Sequence, residues 1–140
     1  MIVLASDHAG YELKEYLKQY FTKHKIEYID AGALTYDAHD NYPNIAKKAV
    51  KMVLKNENGR GIFICGSGVG MSMVANRHKW IRAVLAYDTL TAQMARKHNN
   101  ANVLCLGQNR VTTTMALKII KTFLSTNFDG GRHIQRINSF

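Results

Sequence analysis

Apolar and polar residues alternate along the chain in two periods, one typical of strands and one typical of helices. Five short apolar runs predict strands at residues 2–5, 26–29, 62–65, 81–86 and 103–106. Helical spacing of apolar residues marks a first helix at Leu13, Leu17, Tyr20 and Phe21 and a last helix at Met115, Ile119, Ile120 and Phe123. Three more helices are predicted at residues 43–56, from a glycine-rich turn to about residue 77, and from Asp88 or Thr89 to residue 98.

Regular alternation of strands with helices indicates an α/β fold. Parallel strands joined by right-handed helical crossovers give helices on both faces of one sheet. We therefore expect a three-layer α/β/α sandwich around a Rossmann-like, five-stranded parallel sheet. A chain of 140 residues without a linker or an internal repeat predicts one domain spanning residues 1–140. The sequence leaves the order of the fourth and fifth strands open.

The composition narrows the class of protein. Hydrophobic residues make up 46% of the chain, and no apolar run approaches the roughly 18 residues that a membrane span needs. The first ten residues are too short for a signal peptide, so we expect a soluble, cytoplasmic protein without a membrane partner. Cys65 and Cys105 have neither a CxxC motif nor histidines at ligand spacing, which predicts no disulfide and no structural metal.

The chain is strongly basic, with 19 Lys+Arg against 10 Asp+Glu and a net charge of +9. Such a charge raises the question of a nucleic-acid partner. No helix-turn-helix, RNP or zinc-finger signature is present, however, so we expect no nucleic acid. The lysines lie on the polar faces of several predicted helices, as solvated surface charges would: Lys14, Lys18, Lys47, Lys48, Lys51, Lys55, Lys118 and Lys121. A small phosphorylated ligand fits the same charge.

Polar and reactive residues follow each of the predicted strands. In an open parallel sheet, ligands bind beyond the carboxyl ends of the strands, where the strand order reverses. The segments expected there are residues 6–10 (SDHAG), the loop reaching residues 40–44 (DNYPN), residues 65–70 (CGSGVG), residues 87–88 and residues 107–110 (GQNR).

A cysteine precedes the glycine-rich turn after the third strand. Gly66, Gly68 and Gly70 permit close backbone approach, so the N–H groups of residues 66–70 can converge on an anionic oxygen at a helix start. The same N–H groups would stabilise a thiolate, which makes Cys65 a candidate base or nucleophile. The alternative is a small buried side chain that merely ends a strand.

Three functions of a thiol in such a turn can be compared. A phosphatase loop needs Cys-x5-Arg, but Met71 occupies the sixth position after Cys65, which excludes it. A phosphocysteine carrier of a sugar phosphotransferase system is a chain of about 100 residues, and its cysteine follows the first strand. Here the cysteine follows the third strand. The remaining function is a proton-transfer base beside an oxyanion cradle, as an enolising reaction requires.

Six ordered motifs carry a resemblance over essentially the whole chain. They are Asp7-His8-Ala9-Gly10, Asn41-Tyr42-Pro43, residues 65–70, Arg82-Ala83, His98-Asn99 and Gly130-Gly131-Arg132-His133-x-x-Arg136. Together they resemble the type B ribose-5-phosphate isomerases, within a wider family that includes galactose- and allose-6-phosphate isomerases. The resemblance implies interconversion of aldose and ketose phosphates through a cis-enediolate, without a metal or an organic cofactor.

The resemblance also implies residue roles. Cys65 would shuttle the proton between C1 and C2, Asp7 would exchange protons with a sugar oxygen, and His98 would open the furanose ring. The hydroxyl of Ser67 and the backbone of Gly66, Gly68 and Gly70 would hold the enediolate oxygen. Asn99 and Tyr42 would orient sugar hydroxyls, and the phosphate site would consist of His8, Arg110, Arg132, His133 and Arg136. Arginines four residues apart share one helical face, which independently suits phosphate.

Structural explanations compete with some of these roles. Asp7 and His98 can merely cap or end a helix, Tyr42 can be a packing aromatic, and Arg110 a surface charge. Arg132 and Arg136 can belong to a basic tail that is merely solvated. Cys105 is expected in the core, and His24, His39 and His78 on the surface.

Two positions depart from the family pattern. Ser67 stands where a threonine is frequent, which keeps the hydroxyl. Asn41 stands where an aspartate is frequent, which removes a charge from this loop. A third position, Met71, matters because another branch of the family has its glutamate base there; Cys65 is then the only candidate base.

The substrate and the assembly follow from the resemblance alone. The basic tail at about residues 127–140 favours a pentose phosphate, with a six-carbon sugar phosphate as the nearest alternative and the phosphocysteine carrier as the alternative of another class. Members of the family share each active site across a homodimer interface, the ring-opening histidine coming from the other subunit. We therefore expect a homodimer, or a tetramer built from such dimers.

Overall fold

A computed structural model describes residues 1–140. The strands are β1 (Ile2–Ser6), β2 (Tyr28–Asp30), β3 (Arg60–Cys65), β4 (Ala83–Leu85) and β5 (Val103–Gly107). The helices are α1 (Tyr11–Lys23), α2 (Tyr42–Lys55), α3 (Val69–Ala75), α4 (Thr89–Asn99), α5 (Thr113–Ser125) and α6 (Arg132–Ile137). A single 3-10 turn, His8–Gly10, precedes α1.

The five strands form one parallel sheet in the order β2-β1-β3-β5-β4. β4 is therefore the outermost strand, next to β5. This settles the order of the fourth and fifth strands, which the sequence left open. The chain leaves β1 toward β2 on one side and reaches β3 on the other, so the strand order reverses between β1 and β3. The carboxyl ends of these two strands therefore flank the crevice where a ligand is expected.

Two apolar layers cover the two faces of the sheet. One layer contains residues of α1, α4 and α5, such as Leu17, Ala92 and Ile119. The other contains residues of α2 and α3, such as Val50 and Met71. Alternate residues of each strand enter opposite layers because successive side chains of a strand point to opposite faces. The predicted three-layer α/β/α sandwich is confirmed.

The predicted elements differ from the observed ones mainly at strands β2 and β4. Ile26 does not begin a strand, because its N–H closes the turn after α1 on the carbonyl of Phe21 at 2.9 Å. Ile81 likewise closes a turn on His78 at 3.1 Å before β4 begins. Of the histidines expected on the surface, His24 and His39 are exposed and His78 is half-buried. Cys105 lies in the core, as expected.

The placement of Lys14 among the solvated surface lysines was wrong. Its side chain is fully buried, and its Nζ donates to both carboxylate oxygens of Asp30 at 2.8 Å and to the carbonyl of Ala33 at 2.5 Å. Lys18 also lies 2.8 Å from Asp30. Burial favours the neutral form of Asp30, but the hydrogen bonds from the two lysines outweigh it and lower the pKa of the carboxyl. The ion pairs of Lys14 and Lys18 with Asp30 connect α1 to the end of β2.

Candidate active site

The thiol of Cys65 lies at the carboxyl end of β3, at the mouth of the crevice. Its Sγ accepts a hydrogen bond from the backbone N–H of Gly68 at 3.1 Å, and the residue is 6% exposed. Gly68 adopts a φ of 82°, in the left-handed region that favours glycine, and this geometry turns its N–H back toward the sulfur. A donor aimed at sulfur stabilises negative charge there, as a base or a nucleophile requires.

The rest of the turn packs closely against its neighbours. A β-carbon on Gly70 would lie 2.7 Å from the ring of Tyr42, so this ring lies directly against the turn. The hydroxyl of Ser67 accepts from the N–H of Val69 at 3.2 Å. Two of the N–H groups in residues 66–70 are thus bonded within the turn, and those of the other residues remain candidates for an anionic oxygen.

Asp7 follows β1 and lies almost entirely buried beside the same crevice. Its Oδ1 accepts from the N–H of Gly10 at 3.1 Å, which caps the 3-10 turn. Burial raises the pKa of the Asp7 carboxyl, and the nearby charge of Asp40 raises it further against the opposing effect of His8. Capping and proton exchange are therefore compatible, because a carboxyl of raised pKa binds and releases protons more readily near neutral pH.

His8 contacts a residue that the sequence reasoning missed. Its Nδ1 lies 2.7 Å from Oδ1 of Asp40, and its backbone N–H donates to the same oxygen at 3.1 Å. Polar side-chain atoms of Asp7, His8 and Asp40 lie within 4.8 Å of one another, so the three residues form one polar cluster. The loop thus holds a carboxylate one residue before Asn41. Its position directly before the Asn41-Tyr42-Pro43 motif was the available signal.

Tyr87 and Arg110 brace the glycine turn from the side of β4 and β5. The hydroxyl of Tyr87 donates to the carbonyl of Ser67 at 2.7 Å, and the guanidinium of Arg110 lies 5.3 Å from the centroid of the Tyr87 ring. Arg110 is exposed, so it is free to meet an anion at this edge. The sequence placed Tyr87 at this edge but did not predict its contact.

A second group of predicted site residues gathers where α4 ends. The rings of His98 and His133 stack with centroids 4.4 Å apart and planes 12° apart. Burial lowers the pKa of His133, and the neighbouring His98, Arg132 and Arg136 lower it further. Asn99, Arg132 and Arg136 are exposed, and neither arginine forms an ion pair within the chain.

The two groups lie at opposite edges of the sheet, one where the strands end and the other where the strands begin. Cys65 is at the carboxyl end of β3, whereas α4 runs back for about 16 Å from the carboxyl end of β4 to the amino end of β5 before it reaches His98. No hydrogen bond, ion pair or ring contact joins the groups within one chain. The expected phosphate site is divided in the same way, with His8 and Arg110 at one edge and Arg132, His133 and Arg136 at the other. One chain does not bring these residues together.

Known proteins resemble this chain over nearly its full length. A ribose-5-phosphate isomerase B of Escherichia coli is 36% identical, with 99% of this chain and 92% of that protein covered. The solved structure of a ribose 5-phosphate isomerase from Thermotoga maritima is 47% identical, covers 99% of this chain and 94% of its own, and has a TM-score of 0.94. A ribose-5-phosphate isomerase B from Mycoplasma genitalium, solved with bound ribulose-5-phosphate, is 42% identical with a TM-score of 0.93, covering 99% and 91%.

The family model described as Ribose/Galactose Isomerase matches residues 2–140. None of the helices combines the length and the apolar character that crossing a bilayer demands. The match includes both the glycine turn after β3 and the basic segment of α6. The chain therefore belongs to the ribose/galactose isomerase family.

Proposed function

We propose that this protein interconverts D-ribose 5-phosphate and D-ribulose 5-phosphate, an intramolecular oxidation and reduction that needs no external electron acceptor. The observation that carries the proposal is the Cys65 thiol, held 3.1 Å from the N–H of Gly68 beside the buried carboxyl of Asp7. A base next to backbone donors is what removal of a proton α to a carbonyl requires. The names of the full-length relatives support the pentose phosphate as substrate.

In the proposed reaction, the Cys65 thiolate removes the proton from C2 of the open-chain aldose. The electrons of the broken C–H bond form the C1–C2 double bond of a cis-enediolate, and the oxygen at C1 takes the charge. The hydroxyl of Ser67 and N–H groups of the glycine turn hold this charge. Asp7 transfers the proton from the C2 hydroxyl to the oxygen at C1, and the Cys65 thiol returns its proton to C1, which gives the ketose.

The positions of His98 and α6 support a homodimer with shared active sites. Ring opening by His98 needs this side chain near the sugar bound at Cys65, yet the two residues lie at opposite edges of one chain. A second copy placed with its amino edge over this crevice would supply His98, Asn99 and the tail at residues 127–140. His8 and Arg110 of one copy and Arg132, His133 and Arg136 of the other would then enclose one phosphate. Two such dimers could also form a tetramer. The cytoplasm is the expected location.

A six-carbon sugar phosphate is the second candidate, because the matching family includes galactose isomerases. One extra carbon is typically discriminated by only about 1–3 kcal/mol. The phosphocysteine carrier has lost its support, because Cys65 follows the third strand of a chain that matches isomerases over residues 2–140.

The test is formation of ribulose 5-phosphate from ribose 5-phosphate in the presence of EDTA, with allose 6-phosphate and galactose 6-phosphate assayed beside it. Native protein should turn over the pentose phosphate fastest, and Cys65→Ala should lose at least about a thousandfold in kcat. Cys105→Ala is the matched control, since this second thiol is buried in the core and should leave kcat unchanged. Preference for a six-carbon substrate would reassign the substrate, and full activity of Cys65→Ala would remove the thiol from the chemistry.

A further inference from the structure

The carboxylate of Asp40 holds His8 through two contacts on one oxygen. Oδ1 of Asp40 lies 2.7 Å from Nδ1 of the His8 ring and accepts the His8 backbone N–H at 3.1 Å. The Asp40 side chain is 11% exposed, whereas the ring of His8 is 34% exposed. The carboxylate is therefore largely shielded from solvent, while the ring stays partly accessible.

The contact between Asp40 and His8 is not explained by fold stability alone, because the second carboxylate oxygen of Asp40 has no partner. Oδ2 is shielded from solvent and accepts no hydrogen bond within the chain. A buried carboxylate with one unpaired oxygen carries a desolvation penalty. An arrangement that orders His8 at such a cost is typical of a functional site rather than of the core.

The surroundings of His8 favour one orientation and one charge state of its ring. The edge of the ring meets Tyr36 at a centroid distance of 6.5 Å, with the planes nearly perpendicular. The hydrogen bond with Asp40 raises the pKa of His8, and the charges of Asp7 and Asp37 add to this effect against partial burial. An imidazolium donates from both nitrogens, and Nε2 lies on the side of the ring away from Nδ1.

We propose that Asp40 is a positioning residue for substrate binding: it fixes the His8 ring through Nδ1 so that Nε2–H is presented to the phosphate of the substrate. The proposal rests on the proposed function, in which His8 belongs to the phosphate site. It assigns to Asp40 the carboxylate that Asn41, at the neighbouring position, cannot provide. Orientation of a histidine by a carboxylate on its far nitrogen is a general device for fixing its tautomer and its charge.

The experiment compares native protein with Asp40→Asn and with the matched control Asp37→Asn. Asparagine keeps the size of Asp40 and can still accept the His8 backbone N–H, but it removes the charge. Asp37 is exposed and touches His39 instead of His8, so its variant removes a nearby charge without removing a His8 contact. For each protein, kcat and KM for ribose 5-phosphate and inhibition by inorganic phosphate are measured from pH 5.5 to 8.5, together with the midpoint of thermal unfolding.

We expect Asp40→Asn to raise KM and the phosphate inhibition constant by up to about tenfold, with kcat changed less than about twofold. The difference should be largest between the His8 pKa values of the two proteins and should narrow as pH falls below both, because His8 is then protonated in each. Asp37→Asn should stay within about twofold of native at every pH. Ionisation of the phosphate itself is common to all three proteins and does not contribute to the comparison.

A second readout is independent of catalysis. In protein labelled with ¹⁵N at histidine, the His8 ring should titrate at lower pH in Asp40→Asn than in native protein. Superimposable KM profiles and His8 titrations for native protein and Asp40→Asn would overturn the proposal. If Asp40→Asn raised KM equally at every pH and also lowered the midpoint of thermal unfolding, Asp40 would have only a structural role. If native protein does not act on ribose 5-phosphate, the proposed function fails, but the His8 titration and phosphate binding still test Asp40.

Discussion

The backbone N–H of Gly68 donates to the sulfur of Cys65 at 3.1 Å, and this contact exists because Gly68 has a φ of 82°. One residue thus determines both the path of the turn and the environment of the thiol. The backbone donor does not move when the thiol changes charge, so it is ready for the thiolate before the reaction begins. The chemical behaviour of Cys65 therefore depends on a glycine three residues away.

The first prediction concerns Gly68→Ala. A β-carbon there would lie 2.6 Å from a methyl of Leu85 and 2.8 Å from the backbone of Leu106, and its φ would be strained in any case. We expect kcat to fall at least about a hundredfold and the free energy of unfolding to fall by about 1–3 kcal/mol. Steady-state kinetics and urea unfolding measure the two effects.

Gly66→Ala is the control for this prediction. Its β-carbon would meet only side-chain atoms, Nδ2 of Asn109 at 3.3 Å and the β-carbon of Ala9 at 3.5 Å. It should lose less than about 1 kcal/mol of stability. Equal stability losses in the two variants would mean that the turn tolerates a side chain at Gly68 as well as at Gly66.

The second prediction concerns the buried ion pair between α1 and β2. Lys14→Met should lower the free energy of unfolding by about 2–4 kcal/mol at pH 7, because Asp30 then keeps only Lys18 as a charged partner. Lys18→Met, at a partly exposed position, should lose about 1 kcal/mol or less. Urea unfolding at several pH values measures both.

The pH dependence of this effect has a definite sign. The lysines lower the pKa of Asp30 below its ordinary value of 3.8, so the stability that they contribute is present above that value. It is lost as pH falls through the folded-state pKa. The gap between native protein and Lys14→Met should therefore be full at pH 7 and shrink below pH 4. A gap that stays constant with pH would mean that Lys14 acts by packing alone.

The third prediction sets activity against stability at Asp7. Burial raises the pKa of this carboxyl, so the folded state binds its proton more tightly than the unfolded state does. Its favourable contribution is present below the ordinary value of 3.8 and is lost as pH rises through the folded-state pKa. Asp7→Asn should therefore be at least as stable as native protein at pH 7, although it should lose at least about a hundredfold in kcat.

Calorimetry at pH 4 and pH 7 checks this trade-off. The unfolding temperature of Asp7→Asn should exceed that of native protein at pH 7, and the difference should narrow at pH 4. Asparagine can still accept the N–H of Gly10, so the cap of the 3-10 turn is retained. A lower unfolding temperature at pH 7 would show that the charged carboxylate stabilises the fold.

The fold could be predicted because each layer leaves a local trace in the sequence. Apolar runs such as residues 103–106 mark buried strands, and positions such as Ile119 and Phe123 mark the face of a helix that covers them. The order of β4 and β5 leaves no such trace, because it depends on which strand pairs with β3. Lys14 was misplaced for a related reason, since its partner Asp30 lies on another element, 16 residues away.

Only part of the candidate site could be predicted from the positions of residues relative to the strands. Residues that immediately follow a strand, such as Asp7 and Cys65, are placed at one edge of the sheet by the topology. His98 lies in the last turn of α4, at the other edge, so only the family resemblance linked it to Cys65. Asp40 was missed because its role depends on a loop folding back onto His8, and the contact spans 32 residues.

The last prediction tests the shared active sites. In a symmetric dimer with Cys65 and His98 of one site on different subunits, a hybrid of Cys65→Ala and His98→Ala contains one site with both mutations and one native site. Equal mixing and re-assembly make half of the dimers hybrid, so the mixture should recover about a quarter of native activity, although each variant alone is inactive. Ribulose 5-phosphate formation before and after re-assembly measures the recovery, and re-assembly of each variant with itself is the control. If every site were complete within one chain, no hybrid would contain a native site and the mixture would stay inactive.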